Sequence, residues 1–477
     1  SEGVARRHLL MAQPGQTILP RSSMVVTQEF VEARIYLDLP TRRGLIASDV
    51  ARDIFFSELP EIVSRSLIYY NLPIKEVEDF VDLMEDADAI RQMLPTRGWI
   101  GFVADGALLA RSPEGLDGPD YQQVQPFSAT DDILTDIKVP KAGFIKGVCI
   151  PAGITLILGD DYSGRIELMQ ALAAGIYNHI PGDGRELAIT VPDAVHVQAE
   201  PGRSVQQVDI GPFVSHPSMN ADARHYSCEH ANALASQAAS VAEMIEAGAR
   251  VLLFDESDSA PGFLARDPRL ASLFAREERS IHPLSQHADR LTSELGVSVI
   301  VAGHVGVSDF IPIADTIFRI ENRRMTNVTQ EARLLIPSDD SRKADPTPLG
   351  SWVEKGRWII PSSVDPSIGT TPVHIKARDR QCLEFGRTLL DLKGLSQISD
   401  RSQTQTIGYI FAYIKSRYMD QPRPIREILD LIDRDLSSEG LEVLARDLRG
   451  DLARPRRYEI AMALNRLATL RVMNAPA

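Results

Sequence analysis

The spacing of hydrophobic and polar positions divides the first 130 residues into two kinds of element. Apolar and polar residues alternate from Ser23 to Leu39, with frequent β-branched side chains, and this alternation predicts half-buried strands. Residues 48–94 have apolar positions at helical spacing, and residues 98–111 predict two short strands around a turn at Asp105 and Gly106. The pattern therefore predicts an N-terminal α+β region over residues 1–130.

The pattern changes at about residue 131. Short apolar runs now alternate with helical segments, and they lie at Ile154–Leu158, Ala188–Val191, Val251–Phe254, Val297–Val301 and Thr316–Ile320. Continuous apolar strands separated by helices are typical of parallel sheets that are covered on both faces. We therefore expect an α/β core over residues 131–335.

The last part of the chain, residues 336–477, is predicted to be mostly helical. It opens with a segment rich in Pro, Ser and Asp at 336–350, which predicts a linker or an ordered surface loop. Apolar residues then recur at helical spacing, as at Ile425, Ile428, Leu429 and Ile432. The whole chain is thus expected to be an α/β protein with flanking N-terminal and C-terminal domains.

Composition and charge narrow the possible classes of protein. A chain of 477 residues that is 44% hydrophobic and 24% charged is expected to fold into more than one domain. Its net charge of −14 argues against extensive coating of nucleic acid or an anionic membrane, although it leaves a local basic patch open. Three widely separated cysteines without a CxxC spacing indicate neither a disulfide framework nor a zinc site.

The chain contains no apolar run approaching eighteen residues, so the sequence predicts no membrane span and no secretory leader. We expect a cytoplasmic protein, or one of an organellar matrix if the source is eukaryotic. The chain begins with Ser rather than Met, which suggests that residues upstream have been removed.

The segment after the first core strand has the glycine spacing of a phosphate-binding loop. It consists of Gly159, Asp160, Asp161, Tyr162, Ser163, Gly164, Arg165 and Ile166. In a GxxxxGK[ST] loop the backbone N–H groups surround the phosphates, the lysine reaches the terminal phosphates, and the hydroxyl binds Mg²⁺. Here Arg165 and Ile166 replace the lysine and the hydroxyl residue, while two aspartates add negative charge. The loop is therefore either a nucleotide site with altered metal coordination or a remnant that preserves the fold.

Two further core strands end in candidate catalytic residues. The strand Val251–Phe254 is followed by Asp255, a candidate Mg²⁺ ligand, and by Glu256, a candidate general base. A strand beginning at Ser298 leads to His304, which is either a phosphate contact or a structural histidine. Each motif is weak alone, but their order and spacing support a nucleoside triphosphatase.

Longer segments carry a resemblance to a known family. They include "GIYNHIPGDGRELAIT" (175–190), "GRSVQQVDIGPF" (202–213), "SQAASVAEMIEAGARVLLFDE" (236–256), "SQTQTIGY" (402–409) and "DLARPRRYEIAMALNRL" (451–467). The chain resembles the soluble ABC-class ATPases of bacteria and some protists, a family that includes an accessory subunit of kinetoplastid mitochondrial RNA editing. The resemblance implies an ABC-type P-loop core, ATP and Mg²⁺ as cofactors, and a homodimer in which two ATP molecules lie between the subunits.

The resemblance also assigns residues to the site and exposes departures from the family. Family loops resemble GGGYHGKST, and the signature segment that reaches the partner's nucleotide resembles ASGSTSQA. In this chain the signature segment is Ala231–Ala238, in which Ser236 and Gln237 are retained and the Ser-Gly core is lost. Glu256 and His304 are the implied catalytic residues, Asp255 the metal ligand, and the loop with Ser236 and Gln237 the nucleotide contacts.

Two functions therefore remain open. The first is a dimeric nucleotide-binding protein with weakened hydrolysis. The second is a pseudo-ATPase that acts as an RNA- or protein-binding scaffold. For the second, the basic residues Arg454, Arg456 and Arg457 are the candidate RNA contacts, since they lie in the "DLARPRR" segment that resembles the family.

Overall fold

The computed structural model of the chain describes residues 8–111, 118–119, 125–215, 222–265, 281–335 and 356–473. The expected linker at 336–350 lies outside these residues. Within them, no helix has both the length and the apolar character needed to cross a membrane.

The N-terminal residues form short antiparallel strand pairs followed by three helices. The strands are β1 (Leu9–Leu10), β2 (Thr17–Ile18), β3 (Met24–Val26), β4 (Val31–Ala33), β5 (Tyr36–Leu37), β6 (Thr41–Arg42) and β7 (Leu45–Ile46). The helices are α1 (Ser48–Asp53), α2 (Leu59–Ser66) and α3 (Ile74–Thr96), with a π-helical turn at Ile54–Glu58 and a 3₁₀ turn at Tyr69–Asn71. The strands predicted within 23–39 and the helices predicted within 48–94 are confirmed.

The core begins at β8 (Trp99–Ala104) and, among the residues described, contains two larger sheets and smaller two-stranded ones. Its further strands are β9 (Ser128–Ala129), β10 (Leu134–Val139), β11 (Gly143–Pro151), β12 (Ile154–Leu158), β13 (Asn178–His179), β14 (Ala188–Thr190), β15 (Ala194–His196), β16 (Val205–Val208), β17 (Tyr226–Cys228), β18 (Val251–Asp255), β19 (Ser298–Gly303), β20 (Thr316–Glu321) and β21 (Arg324–Asn327). The core helices are α4 (Arg165–Ala174), α5 (Ala233–Glu246), α6 (Ala288–Leu295) and α7 (Thr329–Leu335).

The larger sheet has the strand order β15-β18-β19-β12-β20-β21-β9, and the strands from β15 to β20 are parallel. Alternate residues of β18 enter different cores: Leu252 and Phe254 face one side, and Val251 and Leu253 face the other. This arrangement confirms the predicted parallel sheet with two covered faces. Because β12, β18 and β19 are parallel neighbours, the loops that follow them meet at one edge.

A four-stranded antiparallel sheet with the order β10-β11-β8-β14 packs in the second core, beside α3 and α4. Two predictions are wrong here. The run Ala188–Val191 forms β14, which pairs antiparallel with β8 and does not join the parallel sheet. Within residues 98–111 only the first predicted strand forms, as β8; after the turn the chain is irregular, and the Leu108 N–H donates to the Gly184 carbonyl at 2.8 Å.

Between residues 356 and 473 the chain combines small sheets with three helices. The strands are β22 (Trp358–Ile359), β23 (Ile375–Ala377), β24 (Cys382–Phe385), β25 (Thr388–Asp391), β26 (Arg423–Pro424) and β27 (Val472–Met473), and the helices are α8 (Arg401–Arg417), α9 (Ile425–Ser438) and α10 (Arg457–Asn465). These helices share one apolar core with α5. Buried ion pairs reinforce the contact: Arg357 binds Glu246 at 2.6 Å, and Arg466 binds Glu200.

Candidate functional site

The phosphate-type loop joins β12 to the N-terminus of α4, and its two glycines are required by its backbone. Gly164 has a φ of +101°, a left-handed conformation that favours glycine. A Cβ atom on Gly159 would lie 2.5 Å from Ser163 Oγ and 2.8 Å from Ile320 Cγ2. The glycine spacing seen in the sequence therefore reports the shape of the loop, whether or not a phosphate binds there.

The polar groups of the loop bond to one another. The Tyr162 N–H donates to Asp160 Oδ1 at 2.9 Å, and the Ser163 hydroxyl donates to the Asp160 carbonyl at 2.7 Å. The same hydroxyl accepts the Arg165 N–H at 3.3 Å. Backbone and hydroxyl groups that would face a phosphate in a working loop thus have partners inside the loop.

The Arg165 side chain is only 1% exposed and turns back across the loop. Its guanidinium donates from Nε to the Gly159 carbonyl at 2.9 Å, from Nη1 to Asp255 Oδ1 at 2.6 Å, and from Nη2 to Asp161 Oδ1 at 2.7 Å. One positive charge therefore lies between the loop and the end of β18, and it neutralises the candidate metal ligand.

Asp255 is itself buried, with 3% exposure. Besides Arg165, its Oδ1 accepts the N–H and the hydroxyl of Ser257, at 2.9 and 2.7 Å. Its Oδ2 is buried and has no hydrogen-bond partner in the described part of the chain. One carboxylate oxygen thus remains available to a ligand, but it lies on a carboxylate that already pairs with a guanidinium.

Both carboxylate oxygens of Glu256 accept backbone N–H groups from the loop after β19. Oε2 accepts the N–H of His304 at 2.6 Å, and Oε1 accepts the N–H of Gly306 at 2.7 Å. A Cβ atom on Gly303 or Gly306 would lie within 2.6 Å of this carboxylate, so the glycines allow the contact. The His304 side chain is exposed. The structure therefore joins Glu256 to the backbone of residue 304 rather than to its imidazole.

The two retained signature residues are completely buried on α5. The Ser236 hydroxyl donates to the Ala233 carbonyl at 2.7 Å and accepts the Glu200 N–H at 2.9 Å. The Gln237 side chain donates to Ser259 Oγ at 3.0 Å and accepts the Ala260 N–H at 2.7 Å. Both side chains therefore point into the protein, on the face of α5 that packs against the core.

Sequence reasoning missed Arg323, which borders the loop. It lies in the tight turn between β20 and β21 with a φ of +60°, and its N–H donates to the Ser163 carbonyl at 2.7 Å. Its Nη2 lies 3.6 Å from Glu167 Oε1, in the first turn of α4. The available signal was Asn322-Arg323 between two strand patterns, which predicts a hairpin turn but not its position beside Gly164.

The three candidate RNA-binding arginines line a cleft of about 360 Å³ between the core and the C-terminal helices. Arg456 donates to the carbonyls of Pro192 and Ala194, at 2.6 and 2.9 Å, and also pairs with Glu459. Arg457 pairs with Asp430 and Asp433, and Arg454 donates to Ser437 Oγ. All three guanidinium groups therefore already bond to carbonyl, carboxylate or hydroxyl groups of this chain.

A loop between a parallel strand and a helix, next to a strand that ends in Asp255 and is followed by Glu256, is the arrangement of a P-loop nucleoside triphosphatase domain. Family models match three successive parts of the chain: ATPase of the ABC class N-terminal over residues 3–70, the ABC_ATPase P-loop domain over 73–351, and the MRB1590 C-terminal domain over 374–473. The P-loop model covers more than half of the chain. The chain therefore belongs to the ABC-class ATPase family.

Two solved structures are among those that match the chain. One is CbiO1 from Clostridium perfringens, part of the ABC transporter complex cbiONQ, with 16% identity, a TM-score of 0.28, and coverage of 48% of this chain and 87% of that chain. The other is a bacterial Atm1-family ABC exporter with ATP bound, with 15% identity, a TM-score of 0.23, and coverage of 50% and 41%. No curated protein matches the chain.

P-loop ABC ATPases in general use a nucleotide and Mg²⁺, and the residues of this site can be tested against that requirement. In the conformation described above they do not fit a magnesium–nucleotide complex. Arg165 pairs with the metal-binding position Asp255, Ile166 supplies no hydroxyl, and Asp160 satisfies a backbone N–H group of the loop.

Proposed function

We propose that this chain is an ABC-class family member in which Arg165 closes the ATP site, so that hydrolysis is strongly weakened. The chain then acts as a homodimeric scaffold built on the P-loop fold. The observation that carries the proposal is the simultaneous bonding of one buried guanidinium to Gly159, Asp161 and Asp255.

The electrostatic cost of admitting a metal supports the proposal. Two unit charges 4 Å apart interact by about 4 kcal/mol at an effective dielectric constant of 20. A divalent cation at Asp255, at about that distance from the Arg165 guanidinium, would experience roughly twice this repulsion. The carboxylates of Asp160 and Asp161 would repel a phosphate at the same loop. Binding of MgATP would therefore require Arg165 to leave a buried, fully bonded position.

The position of Glu256 supports weakened catalysis independently. A general base needs an oxygen within hydrogen-bonding reach of the attacking water. Both oxygens of this carboxylate already accept backbone N–H groups, at 2.6 and 2.7 Å. In this arrangement the two hydrogen bonds of Glu256 connect the loop after β19 to the end of β18.

The test compares the parent with a variant in which Asp160→Gly, Asp161→Gly, Arg165→Lys and Ile166→Ser restore the family loop. Thermal unfolding is measured with and without millimolar MgATP, because a ligand at 100 times its Kd stabilises the native state by about 2.7 kcal/mol. We expect no shift for the parent and a shift for the restored loop. Adding Asp255→Asn to the restored loop is the matched control and should reduce the shift.

Two outcomes would contradict the proposal. One is a clear MgATP-dependent shift of the parent together with ATP turnover that Glu256→Gln abolishes. The other is a restored loop that is correctly folded by circular dichroism and still shows no response to nucleotide, since the four loop residues would then not be what closes the site.

RNA binding by the scaffold is the second candidate, because Arg454, Arg456 and Arg457 line one cleft. The MRB1590 C-terminal domain match is consistent with membership of a complex. RNA affinity that falls steeply with added salt, and is lost on replacing Arg454 with alanine, would support this candidate. The exposed Arg446 provides the matched control, and equal losses for both variants would indicate only non-specific attraction.

A further inference from the structure

Three polar side chains from distant parts of the sequence meet where the core contacts the C-terminal residues. His196 ends β15, Asp258 lies in the 3₁₀ turn that follows β18, and Ser396 lies in a turn before α8. The Ser396 hydroxyl is 2.9 Å from His196 Nδ1, and His196 Nε2 is 3.1 Å from Asp258 Oδ2. A hydroxyl, an imidazole and a carboxylate thus stand in series, outside the P-loop.

The neighbours of His196 decide which ring nitrogen carries the proton. An ionised carboxylate can only accept a hydrogen bond, so Asp258 at 3.1 Å favours the proton on Nε2. Nδ1 then carries the lone pair and accepts the hydroxyl proton of Ser396. This is the division of roles in a Ser-His-Asp triad, with the two ring nitrogens exchanged.

The fold fixes these groups from both sides. Gln397 is 7% exposed; its Oε1 accepts the His196 N–H at 3.1 Å, and its Nε2 donates to the Ala173 carbonyl at 2.9 Å. The Asp258 carbonyl accepts the Ala199 N–H at 2.9 Å. The hydroxyl and the imidazole therefore stand on backbone that other contacts hold in place, which is a requirement of catalytic sites.

The hydroxyl is accessible, and N–H groups lie beside it in the chain. Ser396 is exposed, whereas the His196 side chain is 12% exposed. The Ile398 N–H donates to the Leu395 carbonyl at 3.2 Å and closes the turn that contains Ser396. The N–H groups of Ser396 and Gln397 donate to no backbone carbonyl of the described residues. They are the candidate donors to an oxyanion, since such donors often come from the residue after the nucleophile.

We propose that Ser396, His196 and Asp258 form a hydrolytic site for short, uncharged carboxylic esters. The Ser396 Oγ attacks the carbonyl carbon of the ester while its proton passes to His196 Nδ1. The ester C–O bond then breaks, and the alcohol leaves with that proton. A water molecule, deprotonated by the same nitrogen, attacks the acyl-serine; the carboxylic acid is released and the proton returns to Ser396. Asp258 acts through His196 and is a positioning residue.

The choice of substrate follows from exposure and charge. Because Ser396 lies at the surface, small esters with a good leaving group are the expected substrates. The net charge of −14 disfavours anionic esters.

The experiment labels the full chain with a fluorophosphonate and identifies the modified peptides by mass spectrometry. This probe reports the first step, because the Ser396 Oγ bonds to phosphorus as fluoride leaves and the hydroxyl proton passes to His196. We expect Ser396 to be labelled at least on the order of 100-fold faster than Ser416. Ser416 is the matched control, since it is also exposed but its hydroxyl donates to the Tyr413 carbonyl at 3.0 Å instead of to a histidine.

Three variants separate the roles of the residues. Ser396→Ala should lose the label and the turnover of p-nitrophenyl acetate. His196→Ala should be labelled at least on the order of 100-fold more slowly, the usual effect of a lost general base. Asp258→Ala should also be labelled slowly and should recover when acetate supplies a carboxylate. A loss of structure alone would not recover in acetate.

Four results would overturn the proposal. Equal labelling of Ser396 and Ser416 in the parent is the first, and it does not depend on any variant folding. The second is a His196→Ala variant, folded by circular dichroism, that is labelled as fast as the parent. The third is an Asp258→Ala variant that acetate does not rescue. The fourth is turnover of p-nitrophenyl acetate that persists in Ser396→Ala, since histidine side chains alone would then cleave the ester.

Discussion

Replacing Arg165 with leucine tests the closed site through stability rather than through activity. Leucine keeps part of the apolar stem and removes all three guanidinium contacts. Asp255, which is 3% exposed, would then carry a buried negative charge opposed only by its bonds to Ser257. Removing one partner of a buried ion pair lowers the free energy of unfolding more than removing both, because the remaining charge is left without compensation.

The expected cost follows from this geometry. Loss of one partner of a buried pair typically destabilises a protein by 3–5 kcal/mol, and the two bonds from Ser257 place this case near the lower value, at about 3 kcal/mol. Asp255→Asn alone leaves Arg165 buried with Asp161 as a partner that is mostly exposed, so we expect about 2 kcal/mol. The double variant should cost clearly less than the two single changes together, by about 2 kcal/mol.

The assay is urea unfolding followed by tryptophan fluorescence and circular dichroism. Trp99 packs in the same core as α4, so its emission reports on the unit that contains the loop. The two probes must give coincident transitions for a free energy to be assigned, since chains with several domains need not unfold in two states.

An Arg165→Leu variant that loses less than about 1 kcal/mol, the range of exposed ion pairs, would refute this expectation. Additive single changes would refute it equally, because contacting partners should show coupling. Arg319→Leu is the matched control, since Arg319 pairs with Glu321 at 3.7 Å with both side chains largely exposed. Its unfolding midpoint should remain that of the parent.

Three further predictions concern the surroundings of the site and the contact between domains. Glu256→Gln should destabilise the chain by about 1–2 kcal/mol in urea unfolding, because the amide can accept only one of the two backbone N–H groups. An unchanged midpoint of urea unfolding would show that Glu256 does not stabilise the fold. Gly164→Ala should cost about 1–3 kcal/mol by the same assay, because its φ is +101° and the new Cβ atom would lie 2.7 Å from Arg323 Cγ. Burial alone would raise the pKa of Glu200, but the charge and hydrogen bond of Arg466 outweigh it and hold that pKa below the ordinary 4.5. The stability from this pair is therefore present above pH 4.5 and lost as the pH falls through the lower folded pKa, so Glu200→Gln should cost about 3 kcal/mol at pH 7 and little once the pH is below that folded pKa.

Much of the site could be predicted because its determinants are local. The strand–loop–helix unit follows from an apolar run, a glycine spacing and a helical pattern that are adjacent in the chain. The loop backbone requires the glycines at 159 and 164, and Asp255 and Glu256 stand at the end of their strand. The strand–loop–helix unit, its glycines and the two carboxylates are present even though the loop lacks the usual lysine and hydroxyl.

The sequence by itself thus determined the parallel core, the place of the loop, and the residues that end β18. The tertiary structure decided the rest. Hydrophobic periodicity shows that a segment is buried but not which strand it pairs with, so the pattern predicts the wrong sheet for Ala188–Val191. In the same way, a charge in the sequence does not reveal its partner. Only the fold brings Asp255 within 2.6 Å of Arg165, which lies ninety residues earlier in the chain. Only the fold, too, places the Glu256 carboxylate where it accepts a hydrogen bond from the backbone after β19.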